Sequence, residues 1–460
     1  MGSAKPNTLI VGLGKTGLSC ARFLTGQGVP LAVTDSRVQP PGLIELQQNL
    51  PDIAVFVGGF DPAAFAAAQQ LVVSPGVSLR EPLIVEAMLR GTPVLGDIEL
   101  FARHAKAPVV AITGSNGKST VTTLVAEMAK SAGRTVRVGG NLGTPALDLL
   151  EATEPDLYVL ELSSFQLETT ASLNAAAAVV LNISVDHMDR YQNMDEYIAA
   201  KERVYHGTGV MVLNAGDAAV MAMAQPGRNA VSFGLNRPGS ELKINDFGVI
   251  DSNGQTAQAW LAHGTRPLMA VSDVRIKGLH NTANALAALA LGNAVGLPMD
   301  AMLNTLRDFS GLPHRSQWIA ELDGVAWYND SKGTNVGATL AALQGMPGKV
   351  VLIAGGLGKD ADFTPLRQAA LEKARAVVLI GRDAPLIEAV LNGVVPVAHA
   401  ATMQDAVMQA RGLAQSGDVV LLSPACASFD MFSGYEERGQ VFTDAVLGLV
   451  AGALAAEHAP

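Results

Sequence analysis

Short runs dominated by Val, Ile, Leu and Ala recur along the chain, at residues 7–11, 31–34, 109–113, 157–162, 178–182, 350–354, 376–380 and 419–423. A strand with one face in water alternates apolar and polar residues. A run that does not alternate needs cover on both faces, the condition of a parallel sheet flanked by helices. Longer Ala/Leu-rich stretches of helical character separate the runs. Gly12, Gly114, Gly355 and Gly381 each follow a run directly, the strand–glycine turn–helix order of α/β units. Loops at the C-terminal ends of such strands are where ligands bind.

The chain has 460 residues, enough for about three domains at roughly 150 residues each. Three blocks follow: 1–96, 97–311 and 312–460. The first ends before a helix that includes residues 99–105, and the second boundary rests on the Gly311-Leu312-Pro313 break. An alternating stretch from about 214 to 274 predicts a small antiparallel sheet inside the second block. Apolar residues are 49% and charged residues 16%, which suits packed cores rather than disorder. Formal charge is 32 − 42 = −10. With no basic block, neither nucleic acid nor an anionic membrane surface is an expected partner. No apolar run reaches the roughly 18 residues of a membrane helix. The N-terminus lacks an export-type apolar segment, and Pro6 sits where a myristoylation motif after Met1-Gly2 wants Ser or Thr. Cys20 and Cys426 are the only cysteines. That is neither a disulfide framework nor a zinc cluster, and it fits a cytoplasmic protein.

The most specific motif is Val109-Val-Ala-Ile-Thr-Gly-Ser-Asn-Gly-Lys-Ser-Thr120. A buried strand runs into a glycine-rich turn and a helix starting near Lys118. Backbone N–H groups of residues 114–119 would wrap a phosphate chain, aided by the positive end of the helix dipole. Lys118 would face the β- and γ-phosphates, and Ser119 would offer its hydroxyl to Mg²⁺. Ile112 stands where the general pattern has its first Gly, so the loop is a shortened variant. A second turn, Gly12-Leu-Gly-Lys-Thr-Gly17, followed by Asp35 at the end of the next strand, matches a dinucleotide fingerprint. It reads equally as an NAD(P) site, a site for another nucleotide diphosphate, or a structural turn.

Glu161 ends a strand beside the phosphate-loop strand, a natural place for a Mg²⁺ ligand. Asp186, His187, Asp189 and Arg190 crowd one loop after an apolar run. Lys201 lies in a helix by composition, where the local pattern makes it an ordinary solvated charge. The third block carries Asn329-Asp330-Ser331-Lys332-Gly333-Thr334-Asn335, Gly355-Gly356-Leu357-Gly358-Lys359-Asp360 and Ser423-Pro-Ala-Cys-Ala-Ser-Phe-Asp430. These polar loops after apolar strands could converge on a small anion.

Taken together, Thr113-Gly-Ser-Asn-Gly-Lys-Ser-Thr120, Glu161-Leu-Ser-Ser164, Asp186-His187, His280-Asn281 with Asn284, His314-Arg315 and Asp330-Ser331-Lys332 resemble the Mur ligases, the ATP-dependent amino-acid-adding enzymes of peptidoglycan synthesis. The resemblance spans residues 8 to 445. Ser74-Pro-Gly76, Gly140-Asn-Leu-Gly143, Asp186-His-Met-Asp-Arg-Tyr191 and the 423–430 segment are most similar to the members that add D-glutamate to UDP-N-acetylmuramoyl-L-alanine. It implies a Rossmann-like N-terminal domain, a central P-loop-type ATPase α/β domain and a C-terminal Rossmann-like α/β domain. The first would hold the UDP of the substrate rather than NAD, through Thr16, Asp35, Ser36, Arg37, Ser74 and Gly76. Asn141, Ser163 and Gln166 would line the path of its muramoyl-alanine arm. ATP would lie on Gly114, Ser115, Asn116, Gly117, Lys118, Ser119 and Thr120, reached also by Asn281, Asn284, Arg315 and Asp330. Two Mg²⁺ ions would be held by Ser119, Glu161, His187 and a CO₂-derived carbamate on Lys201. Lys332 joins Lys118, Glu161, His187 and Lys201 as a catalytic residue. D-Glutamate, with two carboxylates and one amine, would meet Lys359, the hydroxyls of Thr334 and Ser428, the Phe429 N–H and the Tyr435 ring, with the third domain closing over ATP. A monomer is expected.

Tyr435 stands where the family leads one to expect Phe, and Gly333 where some members have Ala. Rival readings are an NAD-dependent oxidoreductase, a non-catalytic nucleotide-binding module, and a sibling ligase for another amino acid.

Overall fold

A computed structural model describes residues 8–235, 245–251 and 258–457. Met1, Gly2, Pro6 and Asn7 lie outside them. The apolar runs become the central strands of three α/β domains, each built on its own sheet. The first sheet holds β1 (Thr8–Val11), β2 (Leu31–Asp35), β3 (Ala54–Val57), β4 (Gln70–Val73) and β5 (Val94–Leu95), in the order β3-β2-β1-β4-β5 and all parallel. The second holds β6 (Val109–Thr113), β7 (Val136–Gly140), β8 (Leu157–Glu161), β9 (Ala177–Val180), β10 (Val210–Asn214), β11 (Ala230–Phe233), β12 (Phe247–Asp251), β13 (Ala259–His263) and β14 (Arg266–Ala270). Its order is β14-β13-β12-β11-β10-β9-β6-β8-β7. The third holds β15 (Gln317–Leu322), β16 (Val325–Asn329), β17 (Val350–Gly355), β18 (Ala374–Ile380), β19 (Val397–His399) and β20 (Val419–Leu422), ordered β15-β16-β20-β17-β18-β19.

The expected antiparallel strands form, as an extension of the large sheet. β12, β13 and β14 pair antiparallel with one another, but β11 joins β12 to the parallel strands, so they extend one sheet. An added ladder satisfies the edge of β11, which a detached sheet would leave open. Residues 236–244 and 252–257 of that stretch lie outside the described ones.

Every residue of β6 is buried. The Lys118–Ser131 and Leu279–Ala294 helices cover the sheet around it, burying Leu124, Val125, Leu286 and Leu289 completely. Each such side chain contributes about 1.5–3 kcal/mol by leaving water. That rigid layer sets the phosphate loop. Gly114 (φ 147) could not be replaced: an added Cβ would sit 2.9 Å from Leu181 Cβ. At Gly117 (φ 83) it would meet Asn284 Oδ1 at 2.5 Å. Among the described residues, no helix is long and apolar enough to cross a membrane.

Candidate active site

The turn after β6 is fixed by Asn182, which follows β9. Ser115 N–H donates to the Asn182 carbonyl at 2.9 Å and Asn116 N–H to Asn182 Oδ1 at 2.8 Å. These two N–H groups therefore do not face a phosphate. The cradle expected over 114–119 narrows to the end near Gly117, where the helix begins. Nothing in the strand pattern flagged Asn182 beyond its place at the end of a run.

Lys118 folds back, its Nζ donating to the carbonyls of Gly114 (2.8 Å) and Ser115 (2.9 Å). Burial, and then the nearby Arg315 charge, lower its pKa, while Glu161 and Asp186 oppose the shift. Ser119 Oγ donates to Glu161 Oε2 at 2.6 Å, and Arg315 Nη2 donates to Ser119 Oγ at 2.7 Å. Asn141 Nδ2 holds the other Glu161 oxygen at 2.7 Å. Hydroxyl and carboxylate thus converge at the end of β6 and β8, as a hard cation requires.

Lys201 is not the solvated charge its local pattern predicted. It is 2% exposed, and its Nζ donates to the Gly114 carbonyl at 2.9 Å and lies 4.6 Å from the Tyr197 ring centre. Burial and the Lys118 charge push its pKa well below the usual lysine range, against the pull of Asp186 and Glu161. The sequence carried no sign of this, because the cover comes from strands and loops far away in the chain. His187 sits in the left-handed region (φ 58) against the Phe165 ring, 4.8 Å between centres. Burial lowers its pKa; the charges of Lys118, Lys201 and Lys359 add to that and Asp186 opposes it, so the ring is neutral at pH 7 and free to ligate. Among the described residues, no three His, Cys, Asp or Glu side chains group closely enough to hold a metal.

A cavity of about 280 Å³ opens between the second and third domains, lined by Asn116, Gly117, Thr120, Asn281, Asn284 and Arg315, with Asp330 and Lys332 opposite. Asn281 donates to the Lys277 carbonyl (2.9 Å) and Asn284 to Asn281 Oδ1 (3.2 Å), which leaves the Asn284 oxygen toward Gly117. Asp330 accepts from Ser316 N–H (3.0 Å) and Ser423 Oγ (2.7 Å), and burial raises its carboxyl to about 6. Lys332 Nζ lies 3.6 Å over the Tyr435 ring centre, and burial, then Arg315, bring its pKa down to about 8.

The three loops of the third domain follow β16, β20 and β17, adjacent in the sheet. They are bonded to one another: Leu357 and Ala427 exchange both backbone bonds at 2.9 Å, and Ala425 N–H reaches the Gly333 carbonyl at 2.9 Å. Ser428 is buried, Thr334 and Tyr435 are half-buried, and Lys359 (φ 52) and Phe429 are exposed. Behind them Arg438, 1% exposed, donates to Ser331 Oγ (3.0 Å), the Ser331 carbonyl (2.8 Å) and the Cys426 carbonyl (3.1 Å). Sequence reasoning missed it, since a helical Arg reads as solvated.

On the first sheet, Asp35 is committed to its neighbours. Its oxygens accept from Leu13 N–H (2.7 Å) and from Arg37 N–H, Nε and Nη2 at 2.7–2.9 Å. Burial opposes ionisation there, but those bonds outweigh it and its pKa falls. Thr16 is half-buried, Ser36 and Gly76 are exposed, and Ser74 Oγ anchors the first turn at the Gly12 carbonyl, 2.8 Å. Asn141 is exposed. Gln166 is buried and engaged: its Oε1 accepts from Ser163 N–H (3.1 Å) and Oγ (3.2 Å), and its Nε2 donates to Asp97 (3.0 Å). Its Oε1 is thereby committed to Ser163, while Nε2 has a second proton beyond the one given to Asp97. Arg190 bridges the first two domains, donating to the Pro75 and Val77 carbonyls at 2.9 Å while lying 4.3 Å over Phe165.

Comparisons with known proteins place this geometry. The family descriptions "Mur ligase MurD-like, N-terminal domain", "Mur ligase middle domain" and "Mur ligase, glutamate ligase domain" match residues 6–96, 112–292 and 314–426. The UDP-N-acetylmuramoylalanine–D-glutamate ligase of Nitrosococcus oceani is 58% identical over 441 residues, covering 95% of this chain and 96% of that protein. The ligase of the same name from Pseudomonas aeruginosa is 54% identical over 442 residues, covering 95% and 97%. Among solved structures, a pseudomurein peptide ligase type C from Methanothermus fervidus superposes with a TM-score of 0.58 at 19% identity, over 90% of this chain and 96% of that one. UDP-N-acetylmuramate-alanine ligase from Thermotoga maritima gives 0.57 at 18%, over 96% and 99%. At those identities the superpositions speak to fold.

Proposed function

This chain belongs to the Mur ligase family, and from that membership we propose that it joins D-glutamate to UDP-N-acetylmuramoyl-L-alanine with cleavage of ATP to ADP and phosphate, a step of peptidoglycan synthesis. The observation that carries the reading is Arg315, which lines the interdomain cavity with Asp330 and Lys332 and reaches across to Ser119, itself bonded to Glu161. The amino acid is taken from the relatives' names.

A carboxylate is a poor electrophile, so the alanyl carboxylate attacks the γ-phosphorus, ADP departs and an acyl phosphate results. The neutral amine of D-glutamate then adds to the acyl carbon. The tetrahedral intermediate collapses, releasing phosphate and leaving the amide. Two anions meet in the first step, so Lys118 and Arg315 are needed where charge gathers. Ser119, Glu161 and neutral His187 fit Mg²⁺ as hydroxyl, carboxylate and imidazole donors. Mg²⁺ there would draw charge from phosphate oxygens. The described residues offer one well-placed carboxylate, Glu161. A carbamate on Lys201 would supply a second such group, for a second ion. Its formation needs the uncharged amine, which adds to CO₂ and loses a proton, and the burial of Lys201 favours that form.

The first glycine-rich turn would serve the UDP moiety through Thr16, Ser36 and Arg37, with Asp35 orienting Arg37 rather than binding a ribose. Thr334, Lys359, Ser428 and the Phe429 N–H would receive the D-glutamate carboxylates. All these residues lie on one chain, so a monomer suffices. Two buried free cysteines and a requirement for ATP suit the cytoplasm. The test is phosphate release with ATP, UDP-MurNAc-L-Ala and each of a panel of amino acids. D-Glutamate should stand alone; release with L-alanine or a diamino acid instead would reassign the substrate.

A further inference from the structure

The Val336–Gly345 helix of the third domain starts at the edge of the nucleotide cavity. Its N-cap, Asn335, is extended (φ −137, ψ 162), and Asn335 Oδ1 accepts from the Ala338 N–H at 2.8 Å. That bond decides which end of the amide is oxygen, so Nδ2 is aimed away from the helix. It donates at 3.3 Å to Asn116 Oδ1 in the phosphate loop and at 3.3 Å to Asp186 Oδ2 in the loop after β9. An amide has two such protons, and both cross from the third domain to the second.

Neither acceptor is loose. Asn116 is fixed to Asn182 through its N–H (2.8 Å) and its carbonyl (3.1 Å). Asp186 accepts the His187 N–H at 2.9 Å, where the backbone of His187 is held at φ 58. Two residues past Asn335, Gly337 permits this approach: a Cβ there would lie 3.0 Å from Ser184 Oγ and 3.1 Å from Ser184 Cβ. The helix start and the 182–187 segment therefore meet at contact distance.

We propose that Asn335 is a closure latch, a positioning residue whose side-chain amide couples docking of the third domain to the placement of the phosphate loop and of His187. Docking presents both protons of Nδ2 to Asn116 and Asp186 at once; withdrawal of the domain breaks both bonds and frees Asp186, which holds the His187 backbone. At 3.3 Å each bond is weak, as a contact broken in every cycle has to be. This inference rests on the ligase reading, because only a reaction that brings D-glutamate on one domain to ATP on another needs such coupling.

The cap and the latch are separable. Asn335→Ser keeps a capping oxygen and loses the crossing donors. Asn335→Asp keeps the cap, favourably charged at a helix N-terminus, but sets a carboxylate against Asp186. The melting temperature should hold in the serine variant and hold or rise in the aspartate variant. kcat/KM for D-glutamate should fall about tenfold with serine and further with aspartate, with KM for UDP-MurNAc-L-Ala unchanged. Stability and activity thus part company, which a merely structural residue would not cause. Unchanged turnover in either variant overturns the latch, and so does a loss that follows a drop in melting temperature. If the wild-type protein, assayed alongside, releases no phosphate from its three substrates, the ligase reading itself fails and the latch with it.

Discussion

Three lysines at the site lack the carboxylate that buried lysines usually have. Lys118 and Lys201 donate to backbone carbonyls, and Lys332 lies on an aromatic face. Burial lowers the pKa of all three. A polyphosphate would bring such an anion, and Lys118 stands at the loop that would receive it. Lys118→Ala should cut kcat by at least about a hundredfold, as loss of a preorganised charge partner does. A kcat within about tenfold of wild type would remove Lys118 from the phosphate site. Lys201 is set deeper and faces Gly114 from behind. The carbamate proposed for it should appear as a carbon signal when the protein is equilibrated with ¹³C-bicarbonate. The Lys201→Ala protein should be inactive, with partial rescue by a short carboxylate filling the vacated space. Full activity of that variant without any carboxylate contradicts the assignment. The sequence could show Lys118, because a glycine-rich turn between strand and helix is a local pattern. It could not show Lys201, because burial of a helical lysine is decided by residues such as Gly114, 87 positions away, which touches it only after folding.

Strands were legible for the same local reason. The run at 109–113 became β6 with the same limits, while 376–380 proved to be the end of the longer β18. Ala374 and Arg375 were overlooked since the charge interrupts the pattern, yet Arg375 pairs with Asp418 beside the sheet. What the pattern cannot show is which loops touch. The backbone bonds tying 357 to 427 and 425 to 333 put three loops into one wall, and Lys359 projects from it in a left-handed turn, exposed. These loops hold no Arg, and besides Lys332 that ammonium is their cation; on the proposed reading it would meet a D-glutamate carboxylate. Lys359→Ala should raise KM for D-glutamate by about tenfold or more, the worth of one charge-assisted hydrogen bond, with KM for UDP-MurNAc-L-Ala unchanged. A rise confined to ATP or the UDP substrate would put the pocket elsewhere. Arg190 acts between elements in the same manner. It clamps the turn after β4 through two carbonyls, so Arg190→Ala should weaken UDP-substrate binding, seen by calorimetry, while D-glutamate KM holds. An unchanged affinity would reduce the clamp to packing.

At the scale of the molecule, the first two domains share an apolar core, with Leu18 and Leu24 of the first in one buried cluster with Phe101, Leu147 and Tyr158 of the second, whereas the cores of the third are separate from it. The second meets the third through Arg315 on Ser119 and Asn335 on Asn116 and Asp186. The first also meets the second through Arg190 and through Arg80 on Glu196. The polar contacts between the second and third domains exchange with water at small cost, so the third can move without exposing core. Asp97, at the start of the second domain, is a polar group held inside the molecule. It is 1% exposed at the start of the Asp97–Ala102 helix, and its Oδ1 has no partner among the described residues. Burial raises its pKa from 3.8 to about 6, against the Gln166 and Ile98 hydrogen bonds. Between those two values the folded chain keeps a proton that the unfolded chain has lost. The stabilisation from the protonated form is therefore complete below about pH 3.8 and gone above about pH 6. Two pH units correspond to on the order of 3 kcal/mol. Asparagine at this position keeps an acceptor for Gln166 and never ionises. The melting temperature of Asp97→Asn minus that of wild type should then climb as pH goes from about 4.5 to about 7.5, most steeply below about pH 6. A difference that stays flat across that range would mean that the buried carboxyl does not titrate there, and that its place against Gln166 carries no pH-dependent cost.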